Sequence, residues 1–316
     1  MLDITTIILT YNEELHIKRC LDIICPVVKD VFVIDCFSED RTVEIAQSYA
    51  NVHVLQHEWP TTKHAGQLNW ALENAPITTK WVMRLDADEY PMKDLVEEMQ
   101  QKIPSLGDEI TGIVLKRRHI FMGKWMKGGI YPVKLLRIFR YRKAMCERRF
   151  MDEHIQLLEG KSVEFEHDFC DHSLINISEY CKKHINYAYS EATQVLNEMY
   201  HLTGSASDNI THLGEQAEKK HRIKCKYNRL PLFWRSFAYF VYRYFLRGGF
   251  LDGKEGFIFA FIQGWWYRTL VDVKVLEVMK WMKANHLDAN SPEGRQALKQ
   301  YIKDHWGIVL SSRGSV

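Results

Sequence analysis

Four short apolar runs alternate with three helix-patterned segments in the first 90 residues, and this constrains the fold more than any other feature of the chain. ITTIILT (4–10) is a β-branched run that reads as a strand buried on both faces. YNEELHIKRCLDII (11–24) places Leu15, Ile17, Leu21 and Ile24 at helical spacing, with acids in its first turn. The unit then repeats. A strand at Val31–Ile34 is followed by a loop and a helix opened by Ser38 or Asp40, and NVHVLQHEW (51–59) is a third strand. HAGQLNWALENA (64–75) reads as a helix, and KWVMRLDADEY (80–90) as a fourth strand with its end. Strands separated by helices at this spacing predict βαβ crossovers and a mostly parallel central sheet with helices on both faces.

Beyond residue 90 the pattern changes. Thr111 to Arg142 reads as β-rich with a turn at Gly128–Gly129, and residues 173–200 read as helical. Small polar residues from Thr203 to Asn209 suggest a break near residue 205. The expected organisation is an α/β domain over 1–205, with halves 1–90 and 91–205, and a helical extension over 206–316.

The four strand ends carry the polar residues. Asp86, Ala87, Asp88 and Glu89 close the fourth strand, where an unpaired buried charge would cost several kcal/mol. If the strand continues to Asp88, residues i and i+2 aim both aspartates at one point. In open parallel sheets ligands bind beyond the carboxyl ends of the strands. Two hard oxygen donors there suit Mg²⁺ or Mn²⁺. Glu89 reads instead as a helix N-terminal acid ahead of Pro91. Thr10, Tyr11, Asn12 and Glu13 end the first strand and Asp35 ends the second, on the same rim. Asn12 and Ser38 also suit ordinary cap and turn roles. Neither G-x-G-x-x-G nor G-x-x-x-x-G-K-[ST] occurs, which argues against a dinucleotide fingerprint and a P-loop.

In order and spacing, IILTYNEE, VFVIDCFSEDRTVEIA, HAGQLNWALENA and WVMRLDADEY resemble the start of the family 2 glycosyltransferases. The subgroup they most resemble is the lipopolysaccharide-core and capsule type. GGIYPVKLLRIFR (128–140) and RGGFLDGKEGF (247–257) extend the similarity, with gaps, to about residue 277. The resemblance implies a GT-A fold, a nucleotide-sugar donor, a divalent metal and inversion at the anomeric carbon. It implies that Thr10, Tyr11, Asn12, Glu13, Asp35, Gln67, Asn69, Asp86 and Ala87 surround the nucleotide sugar and that Asp88 binds the metal. Asp35 would accept from a uracil N–H, and Tyr11 offers a ring for stacking.

Inverting transfer needs a base for the acceptor hydroxyl. RRFMDEHIQL (148–157) offers Glu153, with Asp152 as second choice. His172 is a candidate metal ligand, in competition with His167. Arg137 could reach the diphosphate or an anionic acceptor, whereas Arg140 better suits a solvated edge.

Lys and Arg recur from Lys219 to Lys254 with Asp252 the single acid, interleaved with aromatic residues from Phe233 to Phe245. Trp, Tyr and Arg beside apolar runs suit a bilayer interface and anionic lipid of the cytoplasmic leaflet. A packed hairpin or a homodimer interface is the alternative, and nucleic acid is disfavoured by the density of bulky apolar side chains. A net charge of +2 gives no global argument for nucleic acid either. No transmembrane run and no signal peptide are evident, so the expected location is cytoplasmic, at the inner face of the membrane. The cysteines are odd in number, with no C-x-x-C, and suit reduced thiols. The expected partners are a UDP-sugar donor and a saccharide or lipid-linked acceptor, for surface-polysaccharide synthesis. Two other functions compete. A nucleotidyltransferase would need a glycine-rich loop that LTYNEEL lacks, and a non-catalytic binding module would bind UDP without turnover.

Overall fold

The computed structural model describes residues 1–59, 63–147, 154–203, 227–228 and 230–310. Its contacts divide the chain into two units, the first running to Ile175 and the second from Asn176. The break expected near residue 205 lies outside the described residues, and the helix before it belongs to the second unit.

The first unit opens with β1 (Leu2–Thr10), α1 (Ile17–Ile24), β2 (Val28–Asp35), α2 (Thr42–Gln47), β3 (Val52–Gln56), α3 (Lys63–Asn74) and β4 (Trp81–Asp86). These strands run parallel in the order β3-β2-β1-β4. β1 is apolar throughout because it is covered on both faces. Ile4 and Ile8 pack with Ile17, Leu21 and Met83 on one side, and Ile7 and Leu9 pack with Leu68, Val82 and Phe139 on the other. α1 buries Ile17, Cys20, Leu21 and Ile24, a 3.6-residue stripe against the sheet.

The sheet continues beyond β4 in mixed sense. β5 (Glu89–Pro91), α4 (Lys93–Lys102), β6 (Ile110–Phe121), β7 (Lys124–Trp125) and β8 (Val133–Arg140) follow, then β9 (Ala144–Cys146), β10 (Ile155–Leu157) and β11 (Lys161–His172). β8 lies antiparallel between β4 and β6, β11 runs parallel to β6, and β5 is antiparallel to β11. β9 and β10 form a separate ribbon. The β-rich reading of 111–142 is thus realised as β6 to β8.

The β6–β11 register slips between Glu164 and Asp168. Such a bulge frees backbone N–H groups from the ladder, and buried ones need another acceptor. Glu98 on α4 supplies it, accepting from the backbone of Glu166 and His167 at 3.0 Å, from His167 Nδ1 at 2.9 Å and from Lys102 at 2.7 Å. Burial opposes ionisation of Glu98, but these donors outweigh it and hold its carboxyl down at about 2. A folded pKa below the unfolded value near 4.5 stabilises the fold above pH 4.5, and that stability is lost as pH falls through 2. The contribution is roughly 3 kcal/mol. Glu98→Gln should therefore lower the urea midpoint at pH 6 and flatten its decline between pH 4.5 and 2. An unchanged acid slope would refute this account.

In the second unit, α5 (Ile177–Tyr200) begins at Asn176, whose side chain accepts from the Ser178 and Glu179 backbone. It packs on α8 (Tyr267–Ala284) and α9 (Pro292–Trp306) through Ala192, Val195, Leu196, Val275, Val278 and Leu298. Between α5 and α8 lies a helical hairpin. Its first arm is α6 (Trp234–Val241), extended by a wider turn over Tyr242–Leu246, and its second is α7 (Gly253–Phe259), extended likewise over Ala260–Trp266. Arg235 is buried on Asp272, which also accepts from the Phe233 backbone at 2.7 Å. Among the described residues no helix is long and apolar enough to cross a membrane. The six described cysteines are free thiols.

Candidate active site

In the order β3-β2-β1-β4 the chain steps one way from β1 to β3 and the other way to β4. A crevice therefore opens past the ends of β1 and β4, where loops diverge to opposite sides. The register sets Thr10 beside Asp35 and Leu9 beside Asp86. Asp35 is fully buried. Its carboxylate accepts from Thr10 Oγ1 at 3.1 Å, from the Ser38 backbone at 2.9 Å and hydroxyl at 2.5 Å, and from Gln56 at 3.3 Å. An incoming N–H would most readily replace the long Gln56 contact.

The loops after β1 and β2 bind each other. Asn12 N donates to Ser38 Oγ, and Glu39 N to Asn12 Oδ1, both at 2.9 Å. Glu13 N donates to Thr42 Oγ1 at 2.7 Å and Glu14 N to Asp40 at 3.0 Å. Asn12 adopts a left-handed backbone that asparagine tolerates, but Phe37 adopts it too, at φ +59°, where a bulky side chain is strained. The strain leaves the Phe37 ring 51% exposed on the rim that also carries the exposed Tyr11. Sequence pattern did not single out Phe37, because local propensity gives no sign of a positive φ at phenylalanine.

β4 ends at Asp86, and Asp88 lies in the following turn, so strand alternation does not carry on to Asp88 as expected. Glu89 differs more. It does not cap a helix, because it begins β5 and is buried, accepting from Arg137 on one oxygen (2.5 Å) and from the Asp86 backbone at 3.0 Å on the other. Arg137, expected to reach toward diphosphate or acceptor, is likewise buried and held by Glu89, with Asp86 at 3.8 Å. The reason is electrostatic: acids closing an interior strand need a cation beneath them. Burial works against ionised Asp86, but Arg84, Arg137 and His64 outweigh it and keep its carboxyl well below the usual range. Burial dominates at Glu89, which is pushed up to about 8 despite Arg137.

Residues 5–159 match the family model described as Glycosyl transferase family 2. The uncharacterized glycosyltransferase RT0209 of Rickettsia typhi is 26% identical over 270 residues, covering 83% of each chain. Among solved structures, the mannosyltransferase PcManGT of Pyrobaculum calidifontis, in complex with GDP-Man and Mn²⁺, aligns at a TM-score of 0.48 and 17% identity over 87% of each chain. S. aureus TarS with UDP-GlcNAc aligns at 0.44 and 15% identity, covering 96% of this chain and 92% of that one. This chain is a glycosyltransferase, with a family 2 domain of GT-A fold at residues 5–159.

The glycosyltransferase brings His172 to Asp88, since the His172 backbone N–H donates to the Asp88 carbonyl at 3.0 Å. Tyr90 OH lies 3.3 Å from His172 Nδ1, and burial, then Arg19 and His16, lower the imidazole pKa. His167, the competing histidine, is engaged by Glu98. Among the described residues no group of three or more His, Cys, Asp or Glu is already gathered as an ion cage. The donor chemistry nonetheless fits Mg²⁺ or Mn²⁺, which take a few carboxylates and complete their shells with water and phosphate oxygens. Ionised Asp86, Asp88 and a neutral His172 are such a set.

Gln67 and Asn69 sit on α3 and serve the loops. Gln67 contacts His57 Nδ1 and donates to the His57 carbonyl at 3.0 Å and to Cys36 Sγ at 2.7 Å, tying the ends of β2 and β3. Asn69 donates to the Cys146 carbonyl at 2.9 Å and accepts from its N–H at 2.8 Å. Cys146 ends β9, and Glu147 N donates to the His154 carbonyl at 2.9 Å. Asp152 and Glu153 lie outside the described residues, in the segment joining these tied ends.

A second set of charges was not legible in the sequence. Asp171, in register with Glu89, is 3.3 Å from Arg117 and 3.1 Å from His119. Burial opposes ionised Asp171, but His119 and Arg117 hold its carboxyl well below the usual range. Next to it Asp168 binds Arg118 at 3.1 Å and Tyr131 OH at 3.0 Å, and Arg118 lies over Trp125. Only the pairing of β6 with β11 shows that these groups meet.

Proposed function

We propose that this glycosyltransferase moves a sugar from a UDP-sugar to a saccharide or lipid-linked acceptor, with inversion, in synthesis of a bacterial surface polysaccharide such as lipopolysaccharide, capsule or exopolysaccharide. The observation that carries it is Asp86-Ala87-Asp88 at the β1/β4 switch point, with the His172 backbone N–H bonded to the Asp88 carbonyl. Asp35 and the exposed rings of Tyr11 and Phe37 give a pyrimidine an acceptor and a stacking surface on the same rim. Asp86, Asp88 and His172 would hold the divalent ion, which when bound neutralises charge on the departing diphosphate. Glu153, or Asp152, takes the acceptor proton. Such a carboxylate must approach the anomeric carbon from the side opposite the leaving group. Membership of the lipopolysaccharide and capsule subgroup rests on the resemblance of GGIYPVKLLRIFR and RGGFLDGKEGF.

The test is calorimetric titration with UDP, with Mn²⁺ and with EDTA, followed by NMR of the product's anomeric configuration after a screen of UDP-sugars. Metal-dependent UDP binding and an inverted anomer are expected. No UDP binding in either condition would remove the donor assignment, and a retained anomer would remove the base assignment.

A further inference from the structure

The hairpin of the second unit has a dry side and a bare end. Phe240, Phe259 and Ala260 are buried, and Phe237 and Phe240 pack on Trp265, so the facing sides of the two arms meet, while Trp234, Phe257 and Phe261 stay exposed on the outer sides. The connecting end does the reverse. Leu246 is 76% and Leu251 75% exposed, with Tyr242, Phe245 and Phe250 exposed beside them. A folded chain rarely displays adjacent bulky apolar side chains at one turn without a use for them. The backbone there is built to be tight: Gly249 and Gly256 sit where a Cβ would come within 2.9 Å and 2.3 Å of backbone oxygens, of Arg243 and Gly249 respectively. Only glycine fits this close approach of the two arms.

The charges around this end are selective. Arg247, between Leu246 and Phe250 in the chain, and Lys254 are exposed, whereas Asp252 is buried and Glu255 half-buried. A shallow groove runs down from it, walled by Tyr244, Phe250, Phe257 and Ile258 and closed by Lys254. Apolar side chains at the tip, aromatic rings above them and cations at the margin match the layers of a bilayer surface: acyl chains, interface and phosphate headgroups. A second protein copy would complement the apolar residues but would have no need of two exposed cations.

We propose that the turn from Tyr242 to Lys254 is a membrane anchor that inserts Leu246 and Leu251 into the headgroup–acyl boundary of an anionic bilayer. This deepens the lipid-linked-acceptor side of the function proposed above, and rests on it only for the biological setting.

The experiment is flotation of the full chain with vesicles of phosphatidylcholine containing phosphatidylglycerol, beside vesicles of phosphatidylcholine alone, with UDP binding measured on the same samples. Wild type should float with the anionic vesicles, and more weakly with the neutral ones. Leu246→Ser/Leu251→Ser should lower the partition coefficient about tenfold or more, with UDP binding unchanged. Arg247→Gln/Lys254→Gln should abolish the preference for anionic vesicles. Equal flotation of the leucine variant and wild type would overturn the proposal. So would absence of vesicle binding together with a wild-type dimer that the leucine variant disrupts. Loss of UDP binding in wild type would count against the donor assignment and leave the anchor standing.

Discussion

Asp88→Ala should bind UDP no better with Mn²⁺ than with EDTA, and its kcat should fall about 1,000-fold, which corresponds to about 4 kcal/mol of lost transition-state stabilisation. Asp86 is already drawn toward Arg84 at 3.3 Å and Arg137 at 3.8 Å, so part of its charge is committed to protein cations. Asp88 lies in the turn beyond the strand, with its carbonyl fixed by the His172 backbone. The fold should not suffer, because Asp88 is only half-buried and turn positions tolerate alanine. Equal metal dependence in Asp88→Ala and wild type would dismiss Asp88 as a ligand.

Arg137→Met should destabilise the first unit by about 3–5 kcal/mol above pH 8, where an ionised Glu89 would be left buried without its partner, and by less near neutral pH, where Glu89 is largely protonated. In a chain of this size that is a drop of about 10 °C in Tm. The sign of the pH effect follows from Glu89. Its folded pKa of about 8 lies above the unfolded value near 4.5, so stability declines as pH rises between those values. Removing Arg137 raises the folded pKa further and extends the decline to higher pH. Glu89→Gln/Arg137→Met should recover most of the loss, since two neutral groups have no buried charge to leave stranded. If the single variant melts within 1 °C of wild type, the pair is not what holds the end of β4 in place.

The contrast between these two sites shows where a sequence can be read and where it cannot. β1 to β4 were legible because strands buried on both faces become continuous apolar runs, and their crossover helices keep a 3.6-residue stripe. The rim residues were legible for the same reason: once the strands are placed, their ends are placed. The Glu89–Arg137 pair is not legible because it spans 48 residues and depends on β8 lying antiparallel beside β4. No local signal marks an acid as buried rather than capping. The same holds for Asp171 with His119, and for Glu98 at the β11 bulge, where the deciding fact is a slip in strand register. At the hairpin, composition announced aromatic and basic character correctly. It could not say which residues face inward, because nearly every position in the run is bulky and apolar.

The clasp between the β1 and β2 loops has a consequence for how a ligand would be met. Five backbone N–H groups in these segments, at Asn12, Glu13, Glu14, Glu39 and Arg41, are bonded by side chains of the opposite one. The loops therefore lose their freedom together when the chain folds, not when a nucleotide arrives. Ordering entropy that usually weakens association is already absent from the binding step, leaving contact quality to set affinity. The two segments are also one inherited part: a change of shape in either is transmitted to the other, so specificity on this rim can drift only as fast as the pair can change in concert.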